Sequence, residues 1–421
     1  MFKKILSLSL ALLLAVGMIS VLASCKKKET TTPQTTAVKA ALICLHGDSS
    51  TYDKNFIEAF KTACANKGLS ANEYTIVTDI PEEGTACYDK AAEFADDGYN
   101  LIFADSFGHE ANMLKAAKEF TGVQFCHATG TQAHTAGVAN YHNAFASIYE
   151  GRYLAGVAAG LKLVELYGET VSDENAKIGY VAAWPYAEVI SGYTSFFLGV
   201  RSIVPNATME VKYTNSWYDE TAEKTTALAL IADGCKLISQ HADSMGAPTA
   251  CEEKNIPNVS YNGVTGTNTF VIASKINWTP YFEACIDAVK NGTAIEASYT
   301  GTIQTGSVEI TAVGAAAAAN TQTKLDAVKA ELVAGTRKVF DCSKFTVNGA
   351  KADTSAFSKA AYITMDADGH LTSYKADVND DGTYTGETEV IKSANGITYF
   401  AESEFRSAPY FDIIIDGIIL A

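Results

Sequence analysis

The chain has 421 residues, of which 48% are hydrophobic and 19% charged, enough apolar material for a large buried core and too much for a disordered polymer. Acidic residues outnumber basic ones 48 to 32, giving a net charge of −16 spread along the sequence. Nucleic-acid binding, which needs a surface excess of Lys and Arg, is therefore not expected.

The amino terminus reads as a targeting segment. Lys3 and Lys4 precede an almost wholly apolar run from Ile5 to Ala23, and Leu22-Ala23-Ser24-Cys25 ends it with small residues before a cysteine. Residues 1–24 are expected to be a secretory signal. A membrane helix is the alternative for so long a run, but the closing residues resemble a lipoprotein box, in which the Cys25 thiol carries membrane lipid. Residues 25–37, with three lysines and a Thr/Pro/Gln stretch, have little to pack and read as a solvated tether.

From Val38 the pattern alternates between short apolar runs and helical periodicity. Strands are expected at 38–45, 74–77, 100–104 and 123–126, separated by helices at 55–67, 86–97 and 110–119. A Gly/Ala-rich helix at 148–165, able to pack closely, opens a second series: strands at 177–182, 208–213 and 236–239, and helices at 188–200, 221–233 and 248–254. Such alternation means parallel strands with crossover helices on both faces, here in two similar lobes. Residues 38–147 form the expected first lobe, 148–275 the second, 276–339 a segment crossing back, and 340–421 a Gly/Asp/Thr/Tyr-rich extension of small hairpins. Within the extension Asp377-Val378-Asn379-Asp380-Asp381-Gly382 matches the opening of a calcium loop, but Thr388 stands at the twelfth position, so it reads as a polar turn.

Eight cysteines follow Cys25 without a C-x-x-C pair. An even number permits disulfides outside the cytoplasm, yet their wide spacing within apolar stretches reads as buried free thiols. His127, His134 and His142 have no Cys, Asp or Glu at ligand spacing and read as structural. No metal or cofactor is expected.

Ligands of open α/β sheets sit beyond the carboxyl ends of the strands. Those ends carry Asp53 and Phe56, then Asp105-Ser106-Phe107, and in the second lobe Trp184 with Glu188, Trp217 with Asp219, His241 with Asp243, and Asn262. All three tryptophans, Trp184, Trp217 and Trp278, lie at or near such ends. A tryptophan is ordinarily a core residue, and Asp53 and Ser106 are equally suited to capping helices. Together they fit a cleft that stacks a flat ring, with Asp and Asn supplying hydrogen bonds to its polar edge. Ala104-Asp105-Ser106-Phe107-Gly108 also has the strand-to-helix position of a nucleophile elbow, though with Ala104 where the first glycine belongs. Walker A, H-E-x-x-H and G-x-G-x-x-G sequences are absent.

Leu22-Ala23-Ser24-Cys25, Tyr52-Asp53-Lys54-Asn55-Phe56, Asp105-Ser106-Phe107-Gly108, the segment Ile148–Gly156 and Asn277-Trp278-Thr279-Pro280-Tyr281 resemble the BMP (basic membrane protein) family of lipoproteins. The resemblance runs from about residue 38 to 335. It implies an α/β, two-lobed, hinged type I periplasmic-binding-protein fold with Rossmann-like parallel sheets, here carrying a small β-rich C-terminal extension. It also implies a substrate-binding component of an ABC transporter, and family members with known ligands bind purine nucleosides or bases. Asp53 and Phe56 then take the Asp and Phe of a D-x-S-F-N pattern, with Asn55 replacing Ser and Ile57 the final Asn. Asp105 and Phe107 match the loop after the third strand. The Trp184/Glu188, Trp217/Asp219 and His241/Asp243 pairs match cleft loops of one branch.

The expected protein is thus a lipid-anchored, extracytoplasmic, non-catalytic receptor. It closes on a purine nucleoside or base and delivers it to an ABC permease. Phe56, Phe107, Trp184 and Trp217 would stack, and Asp53, Asp105, Asp243 and Asn262 would orient. The alternatives are a sensory lipoprotein presenting its ligand to a membrane receptor, an esterase using Ser106, and a sugar or peptide in the same cleft.

Overall fold

The computed structural model describes residues 36–347, 362–379 and 386–421. The signal segment, Cys25 and nearly all of the tether lie outside the described residues, as do Asp380 to Gly382 of the calcium-like turn and Thr383 to Thr385. Among the described residues, no helix is long and apolar enough to cross a membrane.

The short apolar runs become central strands because both of their faces are covered. Ala40–Ile43 and Leu101–Ala104 are buried at every position, as parallel strands roofed by helices must be. They lie inside a six-stranded sheet ordered Ser298–Gly301, Tyr141–Ala146, Gln124–Ala128, Leu101–Ala104, Ala40–Ile43, Tyr74–Val77. All of its pairings are parallel. A second sheet, of seven strands, is ordered Val308–Ile310, Phe270–Ile276, Asn258–Tyr261, Ile238–His241, Lys177–Ala182, Thr208–Tyr213, Ile418–Leu420. It is parallel except for Val308–Ile310 at one edge.

The chain passes between the sheets after Ala146, after Ile276 and after Gly301. Three connections of this kind leave two lobes able to move about a hinge. The Thr279–Asn291 helix returns to pack on Thr51–Asn66 of the first lobe. The last strand, Ile418–Leu420, pairs in parallel with Thr208–Tyr213, so the end of the C-terminal extension completes the second lobe's sheet. Within that extension Ile391–Ala394 and Ile397–Phe400 form an antiparallel hairpin. Its Asn395-Gly396 turn has positive φ at both residues, the geometry that matches strand twist.

The Gly/Ala composition of Ile148–Tyr167 has a direct structural reading. A Cβ on Gly156 would fall 2.0 Å from the carbonyl oxygen of Phe196, and one on Gly199 would fall 2.1 Å from that of Tyr153. The Ile148–Tyr167 and Ala187–Arg201 helices therefore touch backbone to backbone. Gly156→Ala is expected to cost about 1–3 kcal/mol in chemical denaturation, because the helices must separate or strain to admit the methyl. An unchanged midpoint would contradict this packing.

All eight described cysteines are buried, unpaired thiols. His127 bonds the carbonyl oxygen of Ser106 at 2.7 Å and His142 bonds the Gln124 side chain at 2.8 Å.

Candidate functional site

A narrow cavity of about 30 Å³ lies between the two sheets. Every group lining it sits at or just beyond the carboxyl end of a strand. Leu45, His46, Tyr52, Asp53, Ser106, Phe107 and Thr129 come from the first lobe, and Glu188, Trp217, His241, Asp243 and Tyr261 from the second. A wider mouth of about 270 Å³ adjoins it, walled by Glu82, Phe107, Trp184, Tyr186, Trp217 and Tyr218, among others.

The first-lobe wall is built by a helix start. Ser50 caps Thr51–Asn66 by accepting from the Asp53 N–H. The Asp53 carboxylate in turn accepts from the His46 N–H at 2.7 Å and the Ser50 hydroxyl at 2.5 Å, so one acid pins the whole loop at the cleft wall. The lobes touch across the cleft. The Thr51 N–H and hydroxyl donate to the Asp243 carbonyl at 3.0 and 3.2 Å. The Asn55 amide donates to the Ile276 carbonyl. His46 lies 5.3 Å from Tyr218 and Phe107 lies 5.6 Å from Tyr186, ring centre to ring centre. At the mouth Trp184 and Tyr186 stack at 5.8 Å, and Trp217 approaches Tyr186 at 6.0 Å.

The cavity carries three carboxyl groups, and among its described lining residues there is no Lys or Arg. Burial pushes the Glu188 carboxyl up to about 7, against the opposing pull of Arg152. Asp243 is held well above the usual carboxylate range by burial and then by the charges of Glu223, Asp53 and Glu188. Burial and the Arg152 charge hold His241 well below its ordinary value, so its ring is neutral. Its Nε2 stands 3.5 Å from Glu188, and its Nδ1 has no protein partner. Arg152 sits behind this wall, donating to the Gln240 carbonyl at 2.7 Å with its guanidinium 3.7 Å from the centre of the Tyr261 ring.

Of the residues singled out from the sequence, Asp53, Ser106, Phe107, Glu188, Trp217, His241 and Asp243 meet in the inner cavity, and Trp184 stands at the mouth. Asp105 lies beneath the wall. Its Oδ1 accepts from the Leu45 N–H at 3.1 Å and its Oδ2 has no protein partner, while burial and the neighbouring Asp53 keep its carboxyl well above the usual range.

Besides Asp105, four expectations need correction in placement. Phe56 and Trp278 stack on each other at 4.3 Å inside the first lobe's core, because Phe56 lies one helical turn below Asp53 against the returning Thr279–Asn291 helix. Asp219 is exposed and caps Glu220–Ala232 through the Ala222 N–H. Asn262, at φ +59°, accepts from the Ile276 N–H at 3.4 Å and so braces the chain crossing between the lobes.

The sequence reading missed His46, Tyr52, Thr129 and Tyr261 as cavity residues. Each borders a strand end already singled out, which was the available signal. Glu82 and Arg152 had none.

Cys44, Asp53 and Asp105 place one potential ligand atom each within 4.8 Å of one another. Burial raises the Cys44 thiol and the Asp105 carboxyl, so both hold protons, which leaves a poor cation cage. The Ser106 hydroxyl donates to Glu82 at 2.5 Å, and the nearby His127 ring bonds the Ser106 carbonyl rather than its hydroxyl. The histidine–hydroxyl pair that activates a serine nucleophile is not formed.

The model of a family described as "ABC transporter substrate-binding protein PnrA-like" (Bmp) matches residues 42–340. The chain is 35% identical over 199 residues to a purine-binding protein of Brucella abortus, covering 47% of this chain and 53% of that one. It is 31% identical over 217 residues to a putative ABC transporter glucose-binding protein of Haloferax volcanii, covering 51% and 52%. The chain thus spans about half the length of these curated relatives. Among solved structures, an ABC transporter solute-binding protein from Aeropyrum pernix K1 aligns with a TM-score of 0.61 at 14% identity, over 72% of this chain and 93% of that one. Another from Conexibacter woesei aligns at 0.57 and 19%, over 72% and 98%. At these identities the likeness shows the fold, which is that of two-lobed solute-binding proteins.

Proposed function

Because the chain belongs to the Bmp family of PnrA-like ABC transporter substrate-binding proteins, which carry a ligand rather than transform it, we propose that its interlobe cavity receives a purine nucleoside or base. The observation that carries this reading is the meeting of Trp217 and Phe107 with Asp53 and Asp243 at one cavity between two lobes. An aromatic wall stacks a flat ring, and acceptors at its margin take the N–H and O–H groups of a base and a ribose. The carboxyl-lined wall disfavours a phosphate, which would enter without a facing cation. The Brucella relative named for purine binding supports the same class.

We further propose that Cys25 carries the lipid that holds the protein on the outer face of the membrane, beside the permease it serves. Replacing Cys25 by Ala should then release the protein from the membrane fraction into the medium.

Ligand class is tested by thermal shift with adenosine, guanosine, inosine, adenine, hypoxanthine and glucose. A ligand at 100 times its Kd stabilises by about 2.7 kcal/mol, a shift of several degrees. At least one purine compound should produce it. If glucose alone does so, the purine reading fails and the Haloferax relative becomes the better guide.

A further inference from the structure

A second, larger cavity of about 440 Å³ lies away from the cleft, where the second lobe meets the C-terminal extension. It falls at the junction where the family match, residues 42–340, ends. Four cationic side chains line it, Arg201, Arg337, Lys338 and Lys344, against the acids Glu331 and Asp341. That excess is notable in a chain of net charge −16.

Both acids are already engaged. Glu331 accepts from Arg337 Nε at 2.5 Å, and Asp341 accepts from the Ser343 N–H at 3.0 Å and its hydroxyl at 2.7 Å. The two guanidiniums are fixed in place. Arg337 also donates to the Tyr153 hydroxyl at 2.8 Å, and Arg201 donates to the carbonyls of Ala207 and Asp416 at 3.0 and 2.8 Å. The two ammonium groups are held less directly, and Lys338 feels the charge of the buried Glu150 carboxyl. Lys338 lies 4.6 Å over the Tyr399 ring, and among the described residues neither Lys338 nor Lys344 forms an ion pair.

We infer that this cavity is an anion site for a phosphate-bearing small molecule. Positive groups that outnumber the acids around a hollow raise the local concentration of anions and bind them through charge-assisted hydrogen bonds. The volume exceeds that of a bare phosphate, so the natural occupant has a body attached to its anionic group. The carboxyl-lined cleft between the lobes has the opposite electrostatic character, which makes the two sites chemically separable. An occupant here would tie the second lobe to the extension, and its binding would register as stabilisation.

The probe is inorganic phosphate, titrated into the protein by calorimetry and thermal shift, with sodium chloride at matched ionic strength as the control. At ten times its Kd, phosphate should raise Tm by about 1–2 °C beyond chloride. The double variant Lys338→Ala/Lys344→Ala should lose at least about tenfold in phosphate affinity while binding the cleft ligand as before. A second arm uses phosphatidylglycerol and phosphatidylcholine vesicles. Binding to the former alone, lost in the double variant, would identify a lipid headgroup as the source of the same phosphate chemistry. The inference is overturned if neither phosphate nor anionic vesicles bind, if chloride gives the same shift, or if the double variant responds like the parent.

Discussion

Trp217→Ala is expected to weaken purine binding about 10- to 100-fold by isothermal calorimetry while leaving the ligand-free protein folded. The indole is half-buried, lines both the inner cavity and its mouth, and faces Tyr186 at 6.0 Å rather than being sealed in a core. Its removal takes away a stacking surface, worth about 1–3 kcal/mol per base, without opening a large void inside either lobe. Phe56→Ala serves as the contrast. That ring is packed on Trp278 in the first lobe, so its loss should lower stability by about 3–5 kcal/mol. If Trp217→Ala binds purines as tightly as the parent, stacking at the cleft is the wrong account of affinity.

Glu402→Gln is expected to separate from the parent protein with rising pH. Glu402 is buried in the C-terminal extension, where its carboxyl accepts from the Phe411 N–H at 3.1 Å. Burial lifts it from 4.5 to about 7, although backbone N–H groups and Arg406 pull the other way. A carboxyl raised on folding holds its proton longer in the folded state. The stability it contributes is fully present below 4.5 and is lost as pH rises through about 7. The shift corresponds to about 3 kcal/mol.

Glutamine has no proton to lose, so urea denaturation at pH 4.5 and pH 8 should show the variant gaining about 2–3 kcal/mol relative to the parent over that interval. The difference between the two proteins is the informative quantity, because buried histidines work in the opposite sense. His109 and His142, both lowered to about 4, contribute stability above 6.5 that is lost as pH falls. Parallel curves for variant and parent would show that Glu402 ionises freely in the folded protein.

Much of the scaffold was legible because the relevant forces are local in sequence. A continuous apolar run such as Leu101–Ala104, bounded by polar residues, has no comfortable conformation except a covered strand. Tyr74–Val77, Lys177–Ala182 and Thr208–Tyr213 lie where their apolar runs predict them. The strand Tyr141–Ala146 was not anticipated, since His142 and Asn143 interrupt the apolar pattern. Both are buried nonetheless, and each makes a hydrogen bond with a neighbouring strand or loop. Three-dimensional partners allow what one-dimensional hydropathy disfavours.

The candidate site was legible to a lesser depth. Strand ends announced where a ligand would sit, since backbone geometry sends parallel strands out at one edge. Periodicity tells which residues share a face but not what covers that face. Phe56 and Trp217 look alike in sequence, each aromatic and close to an acid, yet the returning Thr279–Asn291 helix buries one while the other faces the opposite lobe. Arg152 looked like an ordinary member of a Gly/Ala-rich helix until Gln240, His241 and Tyr261 were brought over it from distant strands.

By itself, then, the sequence determined the alternation of strands and helices, the close-packing Gly/Ala helix and the loops that face the cleft, because apolar patterning and backbone sterics act over a few residues. Only the tertiary structure decided which rings line the cleft, which carboxyl groups are buried, and that Ile418–Leu420 closes the second sheet. Those outcomes depend on desolvation and contact between residues far apart in the chain, which no local pattern records.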